Sequence, residues 1–251
     1  MTTLISAELF KLRSTRTTWA TAVALAGFAI ALLGFNAALL GDPGQPEAVP
    51  STLVGLVRTP GPFIGAGALL FGLLLTSSEH RHGVALITRL GHPRLPSLIL
   101  GKATAAAITG VVLAVAVEAI MVGGGTILLA SRNVAVEPLR HGMPGVVAGV
   151  VAIGALYAIA GVGIGELLRN PALAVGVVLG WMFVAEGVLP VVLREPDVAR
   201  WLPSGLVTAT LSAGASPDAS SPAPAAALAV LAAYAVGLLI AGLGRACATD
   251  P

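Results

Sequence analysis

Six long apolar runs, separated by short charged segments, dominate the pattern of this 251-residue chain. About 20 consecutive apolar residues wound as a helix cross the hydrocarbon core of a bilayer. The runs are continuous rather than alternating, which argues against membrane-spanning strands, and their many small residues suit helices that pack closely in lipid. We therefore predict an all-α, polytopic membrane protein. Its six transmembrane helices are expected at about residues 19–40, 59–78, 103–130, 145–165, 171–190 and 223–244.

Composition supports this class of protein. Hydrophobic residues make up 56% of the chain and charged residues only 10%, whereas soluble domains carry roughly 25% charged residues. A water-exposed surface needs charge to stay solvated, so most apolar side chains here must face something other than water. The length leaves little room for a second unit, and we expect residues 1–251 to form a single transmembrane domain.

The distribution of lysine and arginine predicts the orientation of the chain. Basic residues concentrate on the cytoplasmic side of membrane proteins. If both termini are cytoplasmic, nine of the 14 basic residues lie inside and five lie outside. The inside set is Lys11, Arg13, Arg16, Arg81, Arg89, Arg94, Lys102, Arg169 and Arg245, and the outside set is Arg58, Arg132, Arg140, Arg194 and Arg200. Residues 79–102 then form a cytoplasmic loop, and residues 191–222 form an external segment.

Residues 1–18 precede the first apolar run and carry their own pattern. Ile5, Leu9 and Leu12 follow the spacing i, i+4, i+7 of one helical face, and Lys11 falls off that face. This pattern predicts an amphipathic helix lying along the inner membrane surface. The alternative interpretation is a flexible basic tail.

Most sequence patterns of catalysis are absent from the chain. It contains no G-x-x-x-x-G-K-[ST] loop for ATP phosphates, no H-E-x-x-H and no G-x-S-x-G. We therefore expect no enzymatic activity and no bound cofactor in this chain by itself. His80, His82 and His92 lie in one loop, and we interpret them as solvated side chains rather than as metal ligands.

Two acidic residues interrupt the apolar runs, and placing them in the membrane costs free energy. An acidic group at the centre of a membrane helix costs roughly 2.5–3.5 kcal/mol on insertion scales. With a helical rise of 1.5 Å per residue, Glu118 and Glu186 each lie about 21–23 Å along their spans from the cytoplasmic end. Such residues line a substrate path in many membrane proteins. The alternative is a structural carboxyl that bonds to a neighbouring helix or reaches water.

The loop after the second run contains polar residues in a defined order. Val84 to Leu90, between the breaks at Gly83 and Pro93, are suited to a short helix that contacts a partner. An ordinary positive-inside loop is the alternative. The ordered residues are Glu79, Arg81, Gly83, Thr88, Pro93, Arg94 and Lys102.

This order resembles the cytoplasmic loop of type 2 ABC-transporter permeases, the membrane subunits of bacterial ABC exporters. Their loop has an acidic and a basic residue, Gly-Thr, Thr-x-x-x-x-Pro-Arg, and a lysine that opens the third span. Val84 departs from the pattern, because the family usually has threonine there. Three more segments resemble the family and extend the likeness over nearly the whole chain. They are residues 7–14, 165–171 and 201–203.

The resemblance implies a function and partners. The loop would be the coupling helix that contacts a separate ATP-binding subunit. The chain would form half of a translocation path, pairing with a second copy or a homologue in a bacterial plasma membrane. ATP and Mg would bind to the partner subunit, the exported substrate is not specified, and no nucleic-acid partner is expected. The implied coupling residues are Glu79, Arg81, Gly83, Thr88, Pro93 and Arg94.

Two functions from other classes remain as alternatives. A secondary transporter would use Glu118 or Glu186 for proton coupling, and inverted repeats, which favour that class, are not found in the sequence. A membrane scaffold or sensor would need no docking loop and would not change the rate of an ATPase.

Overall fold

The computed structural model describes residues 2–39, 49–81, 95–135, 142–212 and 221–249, and every regular element in these ranges is helical. A π-helical turn, Trp181–Ala185, joins α7 to α8, and a 3-10 helix, Pro196–Trp201, precedes α9. The α-helices in the described ranges are α1 (Thr2–Ser14), α2 (Arg16–Leu39), α3 (Thr52–Arg58), α4 (Gly61–Arg81), α5 (Leu95–Ser131), α6 (Met143–Leu168), α7 (Pro171–Gly180), α8 (Glu186–Leu193), α9 (Pro203–Leu211) and α10 (Pro224–Thr249).

Within the described ranges, six helical stretches are long and apolar enough to cross a membrane, which confirms the predicted fold class. The second stretch combines α3 and α4, and the fifth combines α7, the π turn and α8. The third begins at Leu95 rather than at residue 103, because Lys102 is accommodated inside the helix. The six stretches are Thr18–Leu39, Thr52–Glu79, Leu95–Ser131, Met143–Leu168, Pro171–Leu193 and Pro224–Ala248.

Helix α6 lies at the centre of the bundle and packs against α4, α5 and α10. Glycines make these approaches close. A Cβ atom built at Gly154 would lie 2.9 Å from the carbonyl oxygen of Gly110 in α5, and one at Gly163 would lie 2.5 Å from the carbonyl carbon of Leu238 in α10. Since real Cβ atoms do not approach backbone so closely, these crossings require residues without side chains.

The outer helices leave most of their apolar surface uncovered within the described chain. We compared the most apolar 18 residues of each stretch. In the first and fifth stretches 11% of this segment is buried, against 56% in the stretch formed by α6. Side chains such as Ile30 and Phe183 project from these helices. Such surfaces suit contact with lipid or with another membrane helix.

The predicted N-terminal helix is present and packs onto the bundle. Helix α1 ends at Ser14, and Thr15 separates it from α2. Leu12 is buried and Leu9 is partly buried, both in a cluster with residues of α4 and α5 such as Phe71. Two of the three residues of the predicted apolar stripe, Leu9 and Leu12, therefore face protein.

Part of the predicted external segment also folds into the bundle. In α9, Leu206 and Leu211 are buried in the main apolar cluster. The hydroxyl of Tyr157 in α6 donates to the carbonyl of Pro203 at 3.4 Å, and that of Tyr234 in α10 donates to the carbonyl of Trp201 at 3.1 Å. Two tyrosines thus attach this segment to the spanning helices.

The glycine crossings generate a prediction about stability. A Cβ atom at Gly72 in α4 would collide with the carbonyl group of Ala158 in α6. We expect Gly72→Ala to lower the free energy of unfolding by about 1–3 kcal/mol, because α4 must move away from α6. The measurement is the thermal unfolding midpoint of the purified chain in detergent. Gly123→Ala in α5 is the control, since nothing lies within 4 Å of that position. Equal midpoints for the two variants would contradict the prediction.

Candidate functional site

Two polar sites stand out in the bundle, and the first is an ion-paired cluster where α4 ends. Oε1 of Glu79 accepts a hydrogen bond from Nζ of Lys11 in α1, and Oε2 accepts one from Nζ of Lys102 in α5. Glu79 and Lys102 are buried, with side chains 5% and 4% exposed, whereas Lys11 is 39% exposed. One carboxylate therefore connects three helices.

This cluster holds the helices on either side of the predicted coupling loop. A buried charge is tolerated only where it is paired and hydrogen-bonded, and each oxygen of Glu79 has a cation. Arg81 is the last residue of α4. Four other predicted coupling residues lie outside the described ranges: Gly83, Thr88, Pro93 and Arg94. From the resemblance, Glu79 is expected at a docking surface, and in the structure its carboxylate is paired with two lysines of the same chain.

The second site is a cavity of about 810 Å³ between α4, α6, α7 and α10. Its walls are mainly apolar, and its polar groups gather near Glu186 and Ser204. The aromatic residues of the lining are Tyr157, Trp181 and Tyr234. A cavity of this size with few polar groups is typical of sites for small organic ligands.

Glu186 is held at the wall of this cavity by the start of α9. Its Oε2 accepts a hydrogen bond from the backbone N–H of Ser204 at 3.0 Å. Pro203 opens that helix, and proline suits the first helical position because it lacks an N–H that would otherwise need a partner. The carboxyl group therefore has a hydrogen bond to a neighbouring helix and also lies at the cavity.

The backbone before Glu186 departs from α-helix at the cavity. The π-helical turn Trp181–Ala185 contributes Trp181 and Met182 to the lining. Short π-helical insertions are rare and are often located at functional sites. Pro190 follows within α8 and cannot donate a backbone hydrogen bond to the preceding turn. The fifth span is therefore irregular on both sides of its carboxyl group.

Glu118 lies in a different environment from Glu186. It is 2% exposed within α5, and its neighbours Val117 and Met121 belong to the main apolar cluster. Neither carboxyl oxygen has a hydrogen-bond partner among the described residues. Glu118 does not line the cavity, so the structure separates the two predicted pathway residues.

Sequence reasoning missed the partners that define both sites. From the sequence, Lys102 was identified only as the residue that opens the third span. Glu79 follows the second apolar run and Lys102 precedes the third, and this placement of an acid and a base is suited to an ion pair. The aromatic wall gave no signal, because Tyr157, Trp181 and Tyr234 come from separate parts of the sequence.

Comparison with known proteins adds no assignment: no protein-family model and no curated protein matches this chain. The coarse class is defined by the helices, whose number, length and composition indicate a multi-pass membrane protein.

The ion-paired cluster predicts which of its residues contributes more to stability. Glu79→Ala leaves Lys102 buried without a counter-ion, so we expect the free energy of unfolding to fall by about 3–5 kcal/mol. Lys11→Ala should cost about 1 kcal/mol or less, because Lys11 is partly exposed and Lys102 still pairs with Glu79. Denaturation of each purified variant measures the difference. Replacing Glu79 with Leu and Lys102 with Met together should recover most of the loss, and a double variant as unstable as Glu79→Ala would contradict the pairing.

Replacement of Glu118, whose carboxyl has no partner among the described residues, is expected to raise stability, whereas replacement of Glu79 lowers it. Glu118→Leu removes a buried polar group that has no described partner, so it should raise the free energy of unfolding by about 1–3 kcal/mol. Glu118→Gln, which keeps a polar group, should give no such rise. The unfolding midpoint in detergent checks both variants, and a lower midpoint for Glu118→Leu would show that the carboxyl has a stabilising partner.

Proposed function

We propose that this chain is the permease subunit of an ATP-driven ABC exporter and forms half of its translocation path. The observation that carries the proposal is the ion pair between Glu79 and Lys102. It links the helices that flank residues 82–94, the segment containing most of the residues that resemble a coupling loop. A force applied to that segment by a partner would act on α4 and α5 together.

The packing supplies a route from that segment to the rest of the bundle. Helix α4 makes its closest contacts with α6, where a Cβ atom at Gly161 would collide with the backbone of Leu69. In this proposal α4 and α6 move together as a rigid body, so that a displacement of α4 would carry α6 with it. Closure of the ATP-binding subunits upon ATP binding would in this way shift the spanning helices.

The same proposal includes the remaining partners. A second permease copy or a homologue would cover exposed apolar surface of α2 or of the fifth span. ATP and Mg would be bound by the separate ATP-binding subunit. Both termini would lie in the cytoplasm, and the membrane would be the bacterial plasma membrane.

One observation favours a second candidate function. The buried, unpartnered carboxyl of Glu118 is the kind of group that binds and releases a proton in secondary transporters. In that case transport would follow a proton gradient and would persist without an ATP-binding partner.

Site-specific cross-linking tests the exporter proposal. With a photo-reactive residue at position 86, we expect a cross-link in intact cells to a protein that contains a G-x-x-x-x-G-K-[ST] sequence. The same residue at Ile127, an exposed position of α5, is the control and should give none. The purified complex should hydrolyse ATP, and Arg94→Ala should slow hydrolysis by about tenfold or more if the arginine pairs with a buried partner charge.

Arg132→Ala is the matched variant for Arg94→Ala. Arg132 lies just after the end of α5 that is remote from the loop, and it donates to the carbonyl of Ala37. This variant should leave ATP hydrolysis unchanged. The exporter proposal is wrong if the protein still transports substrate when position 86 gives no cross-link and no ATPase co-purifies.

A further inference from the structure

The cavity beside Glu186 has one sign of charge. Among the described residues that line it, Glu186 is the single acidic one, and none is lysine, arginine or histidine. Other walls are formed by apolar side chains such as Leu69, Ile164 and Val178. A carboxylate next to apolar walls repels anions, gives a neutral apolar ligand no specific contact, and attracts a cation.

The position of the carboxyl group leaves it able to meet a ligand. Oε2 is engaged by the backbone N–H of Ser204, which fixes the side chain. Within the described part of the chain, Oε1 accepts no hydrogen bond. Glu186 is partly exposed, in contrast to Glu118, which is sealed in the apolar cluster. One oxygen of Glu186 therefore remains for a bound cation.

The aromatic lining matches the same ligand chemistry. Tyr157, Trp181 and Tyr234 come from three different helical segments and all line the cavity. Aromatic rings attract organic cations through their π-electron faces, and the attraction strengthens when water is excluded. The apolar walls also favour a ligand with bulky hydrocarbon groups over a small hydrated ion.

The cavity is accessible from the outer surface of the helices. Its lining includes Val177, Trp181 and Tyr234, which are 50%, 43% and 44% exposed. All three belong to the membrane-spanning stretches that contain α7 and α10. A ligand dissolved in the membrane can therefore reach the carboxyl group between these helices.

We propose that this cavity binds a lipophilic organic monocation within one copy of the chain, with Glu186 as the counter-ion. The apolar walls and aromatic rings hold the hydrocarbon groups, and the free carboxyl oxygen faces the positive centre. The inference does not depend on the proposed export function, because it concerns a binding site of the isolated chain.

Two ions of the same shape and opposite charge test the proposal. The full-length chain is purified in neutral detergent, and the binding of tetraphenylphosphonium and of tetraphenylborate is measured at equilibrium. We expect saturable binding of tetraphenylphosphonium, one per chain, and no saturable binding of tetraphenylborate. Glu186→Gln should weaken tetraphenylphosphonium binding by about tenfold or more, while glutamine still accepts the Ser204 N–H.

Matched variants separate binding from folding. Glu195→Gln removes an exposed carboxyl just after α8 that does not line the cavity, and it should leave affinity unchanged. Val177→Trp fills the cavity and should abolish binding, which keeps the proposal testable if Glu186→Gln is poorly folded. Equal binding of both ions with no effect of Glu186→Gln would overturn the proposal and indicate an apolar groove for lipid chains. Absence of saturable tetraphenylphosphonium binding would also overturn it.

Discussion

Direct backbone contact along α6 is the constraint on which the rest of this bundle depends. Apolar side chains gain little by leaving lipid for a neighbouring helix, so helices in membranes associate through close packing and polar contacts. In α6, Gly154 faces α5, Gly161 faces α4, and Gly163 faces α10. Three neighbours are positioned by residues that have no side chain. The cavity and the ion cluster are both consequences, because each lies between helices whose separation α6 sets.

Polar groups join to the bundle those segments that are not positioned by the glycine crossings. Besides its apolar contacts, the N-terminal helix is bonded through Lys11, and the segment before α10 is bonded through the hydroxyls of Tyr157 and Tyr234. At the turn between α6 and α7, Arg169 adopts a left-handed conformation with φ of 52°, and the side chain of Asn170 caps the next helix. These contacts join segments that lie outside the glycine crossings to the bundle.

The spanning helices were predictable from sequence because the signal is local. A run of apolar residues long enough to cross a membrane is recognisable without knowledge of the rest of the chain, and each of the six predicted runs corresponds to one of the six helical stretches of the described chain. Helix ends were less predictable, since Lys102 is charged yet lies well inside α5. Lys102 can lie inside the helix because it pairs with Glu79, 23 positions away. The apolar pattern of a single segment does not show which distant residue will pair with it.

The cavity was beyond sequence reasoning for the same physical reason. Glu186 was identified as costly, but its role depends on Ser204 and on aromatic residues contributed by other helices. The π-helical turn also has no sequence signature here, because Trp181–Ala185 is as apolar as the helix around it. Sequence located the exceptional residue, and only the packing of four spans defines what surrounds it.

The two lysines bound to Glu79 are not equivalent. Lys102 is buried beside the carboxylate, whereas Lys11 is 39% exposed. Dissolved ions screen an exposed pair far more than a buried one. An increase in ionic strength should therefore weaken the Lys11–Glu79 pair of α1 more than the Lys102–Glu79 pair between α4 and α5. The polar contact of the N-terminal helix is thus one that the composition of the surrounding solution can weaken, while the buried side chain of Leu12 keeps the helix packed on the bundle.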